Sequence, residues 1–208
     1  MALQARLKLK PHERCQFAFV TLAAGSRESA LELAERYATL YSIDWCLGTP
    51  TVEAASEAHR LGLEPARLPE LQVLSSLMLL QHPALRAAPD VIAANRLGQP
   101  ELWPLGLSGD YPLLVLRVSD PNETELLRLL IRAHQLWRRR GIYFDLVILR
   151  TGASSYMDLL RDRILAMLRE IGVPEQFGRN CGIHLVAADH AGEERVRLVE
   201  AAARIVLD

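Results

Sequence analysis

The chain has 208 residues, half of them hydrophobic, and its 24 Lys and Arg nearly balance its 25 Asp and Glu, which leaves a formal net charge of −1. This is the composition of a soluble globular protein with one large domain or two small ones. The near-neutral balance supplies no positive field for a phosphate backbone, so the sequence predicts no nucleic-acid partner.

The cysteines are Cys15, Cys46 and Cys181, an odd number without CxxC spacing, which argues against a disulfide framework and against a zinc site. No apolar run approaches the roughly 20 residues that span a bilayer, and no signal-peptide core follows the basic start. We therefore predict a soluble chain in a reducing, intracellular compartment, with no metal, no cofactor and no direct membrane contact.

The first apolar segment, residues 15 to 24, predicts a β-strand, although no other strand signal appears before Leu113. A single strand cannot satisfy its own backbone hydrogen bonds, so its partners must lie far along the chain or outside it. This lone strand suggests that the sequence is an excerpt of a longer protein.

Four helices are predicted after this strand. Ser26 is a candidate N-cap of the first, and Pro50 and Thr51 open the second, which ends before Gly62. The third, in "LPELQVLSSLMLLQHP", is apolar nearly all round and is therefore expected to be buried between layers. A short fourth helix is expected to end at Gly98.

From residue 112 onward the pattern changes to three aliphatic runs, at residues 112–118, 144–151 and 182–188. Such runs without polar alternation indicate strands covered on both faces. Helices follow each run, with Asn122 and Ser155 as candidate N-caps of the first two and the third running to the end of the sequence. This β-α-β-α-β-α order predicts an α/β fold with a small parallel sheet, with a split ferredoxin-like arrangement as the alternative.

The turn "GQPELWPLGLSGD" before the first of these strands holds the most distinctive side chains. Its "GLSG" is one residue short of a nucleophile elbow and precedes a strand instead of following one, so Ser108 is not expected to be a nucleophile. Trp103 and Asp110 are of the types that bind sugars. Taken alone, however, the residues favour a Trp103 that fills a core gap and an Asp110 that bonds backbone amides of the turn.

Other candidates have simpler explanations. Arg138, Arg139 and Arg140 fall in the last turn of a helix, where cations complement the helix dipole. His134 has no partner that the sequence can place, and His184 lies inside a strand, which is typical of a core histidine with satisfied hydrogen bonds. We therefore assign no catalytic residue.

A second candidate site is the turn "TGASSY", which follows the second aliphatic run. Thr151, Gly152, Ser154 and Ser155 would expose backbone amides at a helix N-terminus, at the end of a parallel sheet where ligands bind. Phosphate-loop signatures are missing, so this anion site is the weaker hypothesis.

Four segments of the sequence are distinctive when taken together: "NRLGQPELWPLGLSGDYPLLVLRV", "LLIRAHQLWRRRGIYFDLVIL", "SYMDLLRDRI" and "AAARIVL". They resemble the central portion of cyclic β-1,2-glucan synthases, large bacterial membrane enzymes, and the resemblance covers much of the sequence. The "GQ-LW--G-SGD-P" block is the most specific of them. Leu107 and Tyr111 depart from the family pattern, by apolar or aromatic changes that leave the fold unaffected.

The resemblance implies a division of the chain into three parts. The upstream "FVTLAAGSRESALELAERY" resembles the end of a β-sandwich followed by a linker helix. Residues 1–25 would then be a strand remnant of a preceding β-sandwich, recruited into a substitute pairing here. Residues 26–98 would be a linker and helical segment, and residues 99–208 a small α/β domain.

The resemblance also implies a function. The parent would be a glycosyltransferase with a phosphorylase-like module, anchored in the bacterial inner membrane, and this segment a cytoplasmic, non-catalytic middle module. It would contact neighbouring domains and a β-glucan ligand, with Trp103 stacking on sugar and Asp110 and Arg96 forming hydrogen bonds. The alternatives are a free-standing α/β enzyme or binding domain for a phosphorylated sugar or nucleotide, and an interaction scaffold.

Overall fold

The computed structural model describes residues 4, 6–80, 82–120, 124–151 and 157–208, and of residues 50 and 51 only the backbone. The chain divides into two compact units, residues 1–55 and residues 56–208. This division differs from the three parts that the resemblance implies, and the three-part division stays a prediction.

In residues 1–55 the regular structure is helical. Helix α1 (Arg27–Arg36) begins where predicted, because the side chain of Ser26 accepts a hydrogen bond from the Ser29 backbone N–H. Helix α2 (Leu40–Arg60) begins ten residues earlier than the predicted Pro50. Its true start is marked by Thr39 and Ser42, whose side chains each accept a hydrogen bond from the other's backbone N–H.

The predicted strand at residues 15–24 is wrong for this structure, and so is its expected substitute pairing. Residues 15–24 have no regular secondary structure, and nearly all of them are exposed. Phe17 and Phe19 pack edge to face on each other, with ring centroids 5.6 Å apart, and both remain more than half exposed. The apolar alternation is real, but a strand needs a neighbour to take up its backbone hydrogen bonds.

Residues 56–208 begin with the end of α2, which closes as predicted at Gly62. This glycine adopts a left-handed backbone conformation with φ of 67°, and the Leu63 N–H reaches back to the Ala58 carbonyl at 2.8 Å. Helix α3 (Leu68–Leu80) and the short helix α4 (Pro89–Ala94) follow, the latter ending four residues before Gly98. Of the α3 side chains only Leu71 and Met78 are buried, so this helix is half-covered and not enclosed between layers as expected.

The sheet is parallel throughout, which confirms the α/β prediction over the split ferredoxin-like alternative. Its strands are β1 (Leu113–Val118), β2 (Asp145–Arg150), β3 (Ile183–Ala187) and β4 (Ile205–Leu207), in the spatial order β3-β2-β1-β4. The first three lie within the predicted aliphatic runs. The connecting helices are α5 (Glu125–Arg139), α6 (Met157–Glu170), the single turn α7 (Ala188–Ala191) and α8 (Glu193–Ala202).

The fourth strand corrects the predicted end of the chain. Helix α8 ends at Ala202, and Ala203 is extended, with φ −65° and ψ 140°. The backbone N–H of Arg204 then bonds the Leu113 carbonyl, and Ile205 pairs with Leu114 of β1. The apolar run after the helix therefore gains more from pairing with β1 than from another helical turn. The predicted N-caps Asn122 and Ser155 lie outside the described residues.

The sheet separates two hydrophobic layers, because alternate side chains of each strand point to opposite faces. Leu114, Leu116 and Ile148 face a layer that includes α3, α5 and α6. Val115 and Val147 face the other, which includes α8 and the segment before β1. Covering on both faces explains why these strands read as continuous aliphatic runs.

Candidate functional site

The segment between α4 and β1 forms a compact loop on one face of the sheet. A 3₁₀ helix covers Gln99–Leu105 and ends at Gly106, whose φ of 77° is left-handed. Leu102 and Leu107 are both buried and anchor the loop in the core layer. Arg195 of α8 ties the loop from outside, with its Nη2 2.8 Å from a carboxylate oxygen of Glu101. The loop is therefore fixed at several points, which is what a binding surface needs.

Ser108 lies at the centre of the hydrogen bonds inside this loop. Its carbonyl oxygen accepts from Gln99 Nε2 at 2.9 Å and from the Trp103 indole N–H at 3.2 Å. Its hydroxyl oxygen accepts from the Asp110 backbone N–H at 3.2 Å. Ser108 thus holds the turn together, in agreement with the expectation that it is not a nucleophile.

Gln99 organises the loop, a role that the sequence does not predict. Besides bonding Ser108, its Nε2 donates to a carboxylate oxygen of Asp110 at 3.1 Å. A side chain on Gly109 would place its Cβ 2.7 Å from Gln99 Cγ, so Gly109 must be glycine for Gln99 to reach Asp110. Both residues belong to the most specific block of the family resemblance, which was the signal that could have found them.

Trp103 lies on the surface, with 60% of its area exposed. The interpretation that it fills a core gap is therefore wrong, because only its N–H is held by the loop while the ring faces outward. Asp110 is exposed and is linked to Trp103 through Ser108 and Gln99. Arg96 joins no hydrogen bond of the loop and instead donates to the Ala93 carbonyl at 3.1 Å, near the end of α4.

A cavity of about 350 Å³ lies beside this loop, at the end of the sheet where β1 and β4 begin. It takes in Asp110 but neither Trp103 nor Arg96. The lining residues are Arg86, Gly109, Asp110, Tyr111, Pro112, Ala202 and Arg204. The neighbouring Cys181 side chain raises the pKa of Tyr111, through hydrogen bonding first and charge second.

A polar cluster is buried below the same end of the sheet. Asp145 is fully buried, and its Oδ1 lies 3.2 Å from His184 Nε2, while its Oδ2 has no hydrogen-bond partner. His134 is also buried, and its Nε2 lies 3.1 Å from the Phe144 carbonyl. The prediction that His184 is a satisfied core histidine is therefore confirmed. Because these side chains are closed off from solvent, the cluster offers no open reaction site.

Two of the three helix-end arginines, Arg138 and Arg140, have separate partners. Arg138 donates to the Cys181 carbonyl at 2.9 Å, and Arg140 pairs with Glu57 at 3.4 Å. They do not converge on a shared ligand position.

At the opposite end of the sheet, Thr151 is the one described residue of the predicted anion site. Thr151 follows β2 and is exposed, whereas Gly152, Ser154 and Ser155 lie outside the described residues, so that site stays a prediction. Arg150, at the end of β2, is buried and ion-paired with Asp189. A cavity of about 350 Å³ at the ends of β1 and β4 is lined by Leu116, Arg117, Val118, Thr124, Glu125, Leu126 and Asp208.

Metal-ligand clusters and membrane-spanning helices are both missing from the described ranges. No group of three or more His, Cys, Asp or Glu side chains there is arranged to hold a metal ion. No helix formed by the described residues combines the length and the apolar character that crossing a bilayer requires.

The fold and the loop define a three-layer α/β module with an exposed tryptophan beside its first strand. Two known proteins or families are similar to parts of the chain. Residues 1–40 match the family described as glycosyl hydrolase 94, supersandwich domain.

A curated relative covers much more of the chain. The cyclic beta-(1,2)-glucan synthase NdvB of Rhizobium meliloti (strain 1021) is 26% identical over 171 residues, which is 82% of this chain and 6% of the relative. The chain therefore spans only a small fraction of the length of the relative it matches. Together the two matches confirm the resemblance to cyclic β-1,2-glucan synthases that the sequence motifs indicated.

Proposed function

We propose that this chain is a non-catalytic module of a cyclic β-1,2-glucan synthase-like glycosyltransferase, and that it contacts glucan through Trp103. The observation that carries the proposal is the exposed indole ring on an immobilised loop. Aromatic rings that are held with one face free bind the apolar faces of sugars at little cost in conformational entropy. Asp110, exposed and oriented by Gln99, would accept hydrogen bonds from sugar hydroxyls.

The absence of catalysis is part of the proposal, and the roles of the acidic groups near the loop support it. Glu101 is paired with Arg195, Asp110 with Gln99, and Asp145 is buried against His184. Hydrolysis of a glycosidic bond requires two carboxyl groups facing each other across the sugar. We expect no release of reducing ends when the chain is incubated with linear β-1,2-glucan.

The test is calorimetric titration of the full chain with linear and cyclic β-1,2-glucan, with cellobiose as the reference sugar. We expect selective binding of the β-1,2-glucans and at least a tenfold weaker affinity for Trp103→Ala, a loss of about 1.4 kcal/mol. Trp103→Phe keeps an aromatic ring but loses the N–H bond to the Ser108 carbonyl, so it should bind glucan more tightly than the alanine variant.

Trp45 provides a matched control, because it is exposed to a similar extent, 63%, and lies outside the loop. Trp45→Ala should bind glucan as the wild type does. Equal binding by wild type and a cooperatively melting Trp103→Ala would remove the sugar role from this residue. No glucan binding by a folded wild-type chain would leave a purely structural module.

A second role, as a docking segment, is favoured by the exposed apolar surface of residues 1–55. Leu7, Leu9, Phe17, Phe19 and Val20 are all more than 40% exposed. The match of residues 1–40 to a supersandwich domain supplies a partner of stated chemistry, namely the sheets of a β-sandwich. Residues 15–24 would add to such a sheet as a strand, with alternate side chains entering its core. In this reading residues 1–25 are the β-sandwich remnant of the three-part division.

Hydrogen exchange in the full chain tests this docking role. Amides of residues 15–24 should exchange as fast as in an unfolded peptide, since no sheet covers them, while amides of β2 should be strongly protected. Protection of residues 15–24 in monomeric chain would contradict the docking proposal.

A location on the cytoplasmic side of a membrane-anchored parent is part of the same proposal, and fractionation of cells that make the longer protein would test it.

A further inference from the structure

Two arginines share the cavity where β1 and β4 begin, and the main chain holds both of them. Arg86 Nη2 donates to the Ala201 carbonyl at 3.0 Å, in the last turn of α8. Arg204 Nη1 donates to the Met78 carbonyl at 2.8 Å and to the Leu79 carbonyl at 3.4 Å, in the last turn of α3. These contacts use at most two of the five N–H groups of each guanidinium, so donors remain for a ligand.

Neither arginine has an acidic partner among the residues that the structure describes. The ion pairs there involve other side chains, and the one carboxylate in the cavity wall, Asp110, accepts from Gln99. Most other arginines of the α/β unit that approach a neighbour closely, such as Arg117 and Arg195, do pair with carboxylates. The cavity thus carries an excess of positive charge, held in place by backbone contacts.

The remaining walls suit a small sugar. Tyr111 and Pro112 supply apolar surface. Asp110 can accept hydrogen bonds from hydroxyl groups. A volume of about 350 Å³ falls within the range of small-molecule sites. Guanidinium forks match the geometry of phosphate oxygens, which would form charge-assisted hydrogen bonds with both arginines.

We propose that this cavity binds a phosphorylated sugar, with the phosphate between Arg86 and Arg204 and the sugar ring against Tyr111 and Asp110. This site lies where strands β1 and β4 begin, whereas the anion site predicted at Thr151 follows the end of β2. It does not depend on Trp103, which is outside the cavity, so it goes beyond the glucan contact proposed above.

The experiment is titration of the full chain with α-glucose 1-phosphate, inorganic phosphate and glucose, at one ionic strength set with sodium chloride. We expect glucose 1-phosphate to bind more tightly than inorganic phosphate, and glucose alone to give no binding. Arg86→Gln should weaken glucose 1-phosphate binding at least tenfold while the thermal unfolding midpoint stays near that of the wild type.

Two further variants keep the outcome interpretable. Arg204→Lys keeps a positive charge and a donor for the Met78 carbonyl but loses the fork, so it should weaken binding several-fold even if Arg204→Gln fails to fold. Arg96→Gln is the matched control, because Arg96 also donates to a backbone carbonyl near a helix end and lies outside the cavity. It should bind as the wild type does.

Three results would overturn the proposal: no binding of glucose 1-phosphate, wild-type affinity in folded Arg86→Gln and Arg204→Lys, or an equal loss in Arg96→Gln. The last would indicate general surface attraction of anions. If glucan still binds through Trp103 while glucose 1-phosphate does not bind, the cavity proposal alone fails. If glucose 1-phosphate binds and glucan does not, only the glucan contact fails.

Discussion

The two units of the chain use similar amino acids in opposite ways. In residues 56–208 the aliphatic side chains of four strands are enclosed between two layers of helices. In residues 1–55 none of the described residues is buried, and large apolar side chains such as Phe19, Leu31 and Leu47 stand in solvent. Apolar content alone therefore does not make a core; the chain must also bring apolar faces of several elements together.

The apolar side chains of the two units therefore have different roles: those of the longer unit stabilise the fold, and those of the shorter unit are available to contact a partner. The longer unit has the contacts that make a cooperative fold, and small segments of chain seldom build such a core alone. The shorter unit has local structure, such as the capped helix α1, and apolar surface suited to a partner. Mutations of comparable chemistry should therefore have different effects in the two units.

The largest expected contrast is between Ile148→Ala and Leu31→Ala. Ile148 is fully buried in the middle of β2, so its truncation should lower the free energy of unfolding by about 2–5 kcal/mol. Leu31 is 55% exposed, and its truncation should change that free energy by less than about 0.5 kcal/mol. Urea unfolding followed by circular dichroism measures both. A loss of similar size at Leu31 would show that residues 1–55 have a core.

Acid should weaken the α/β unit through His134. Burial lowers the pKa of His134 from 6.5 to about 4, and its Nε2–H donates to the Phe144 carbonyl in the neutral form. Between pH 6.5 and about 4 the unfolded chain takes up a proton at this residue and the folded chain does not. Stability should therefore fall with decreasing pH, by about 3 kcal/mol at the full shift.

His134→Gln provides the comparison for this pH dependence, because glutamine does not titrate and can still donate to Phe144. Unfolding free energies measured from pH 7 to pH 4 should fall less steeply in the variant. Equal slopes in both proteins would mean that other groups cause the acid sensitivity.

A pair of glycines gives the next contrast. A Cβ at Gly182, just before β3, would lie 2.2 Å from the Gln176 carbonyl oxygen, which belongs to the backbone and cannot swing away. Gly182→Ala should therefore cost about 1–3 kcal/mol in unfolding free energy. Gly48 lies inside α2 with no atom near its Cβ position, so Gly48→Ala should stabilise that helix by about 0.5–1 kcal/mol.

Helicity and the unfolding midpoint measure the two glycine variants. The critical observation is that Gly182→Ala destabilises the protein while Gly48→Ala stabilises its helix. Destabilisation by Gly48→Ala would show that this part of α2 packs closely against another surface.

The smallest effect on unfolding is expected from Phe19→Ser. Phe19 is 61% exposed, so the unfolding free energy should stay within about 0.5 kcal/mol of the wild type. If the exposed apolar side chains drive association between copies, that association should decrease, because a large apolar side chain leaves the surface. Sedimentation velocity at several concentrations measures the association. Unchanged self-association would place any contact between copies elsewhere.

Local sequence signals predicted the α/β unit well, because there the local and the global preferences agree. The three aliphatic runs each contain a strand, and Ser26 and Gly62 mark helix ends as expected. The predictions that are wrong concern segments whose secondary structure depends on a distant part of the chain. The local sequence of β4 predicts helix because its pairing with β1 leaves no local signal. Residues 15–24 predict a strand because the lack of a neighbouring strand leaves no local signal either.

The candidate site divides in the same way. Composition drew attention to Trp103 and Asp110, but whether the ring faced the core or the solvent depended on the position of the whole loop. Gln99 gave no local signal, since an amide side chain in a turn is ordinary until its partners are placed. The cavity with Arg86 and Arg204 joins residues 118 positions apart in the chain, so no local pattern could have assembled it.

The sequence by itself determined the class of the fold, the identity of most helices and strands, and the resemblance that the comparisons confirmed. It could do so because hydrophobic periodicity and capping act over a few residues, and family motifs are read directly. Only the tertiary structure decided the strand order, the fourth strand, the exposure of Trp103 and the pairing of two arginines in one cavity. Those features depend on which distant segments meet, and hydrogen bonding and burial select them only in the folded chain.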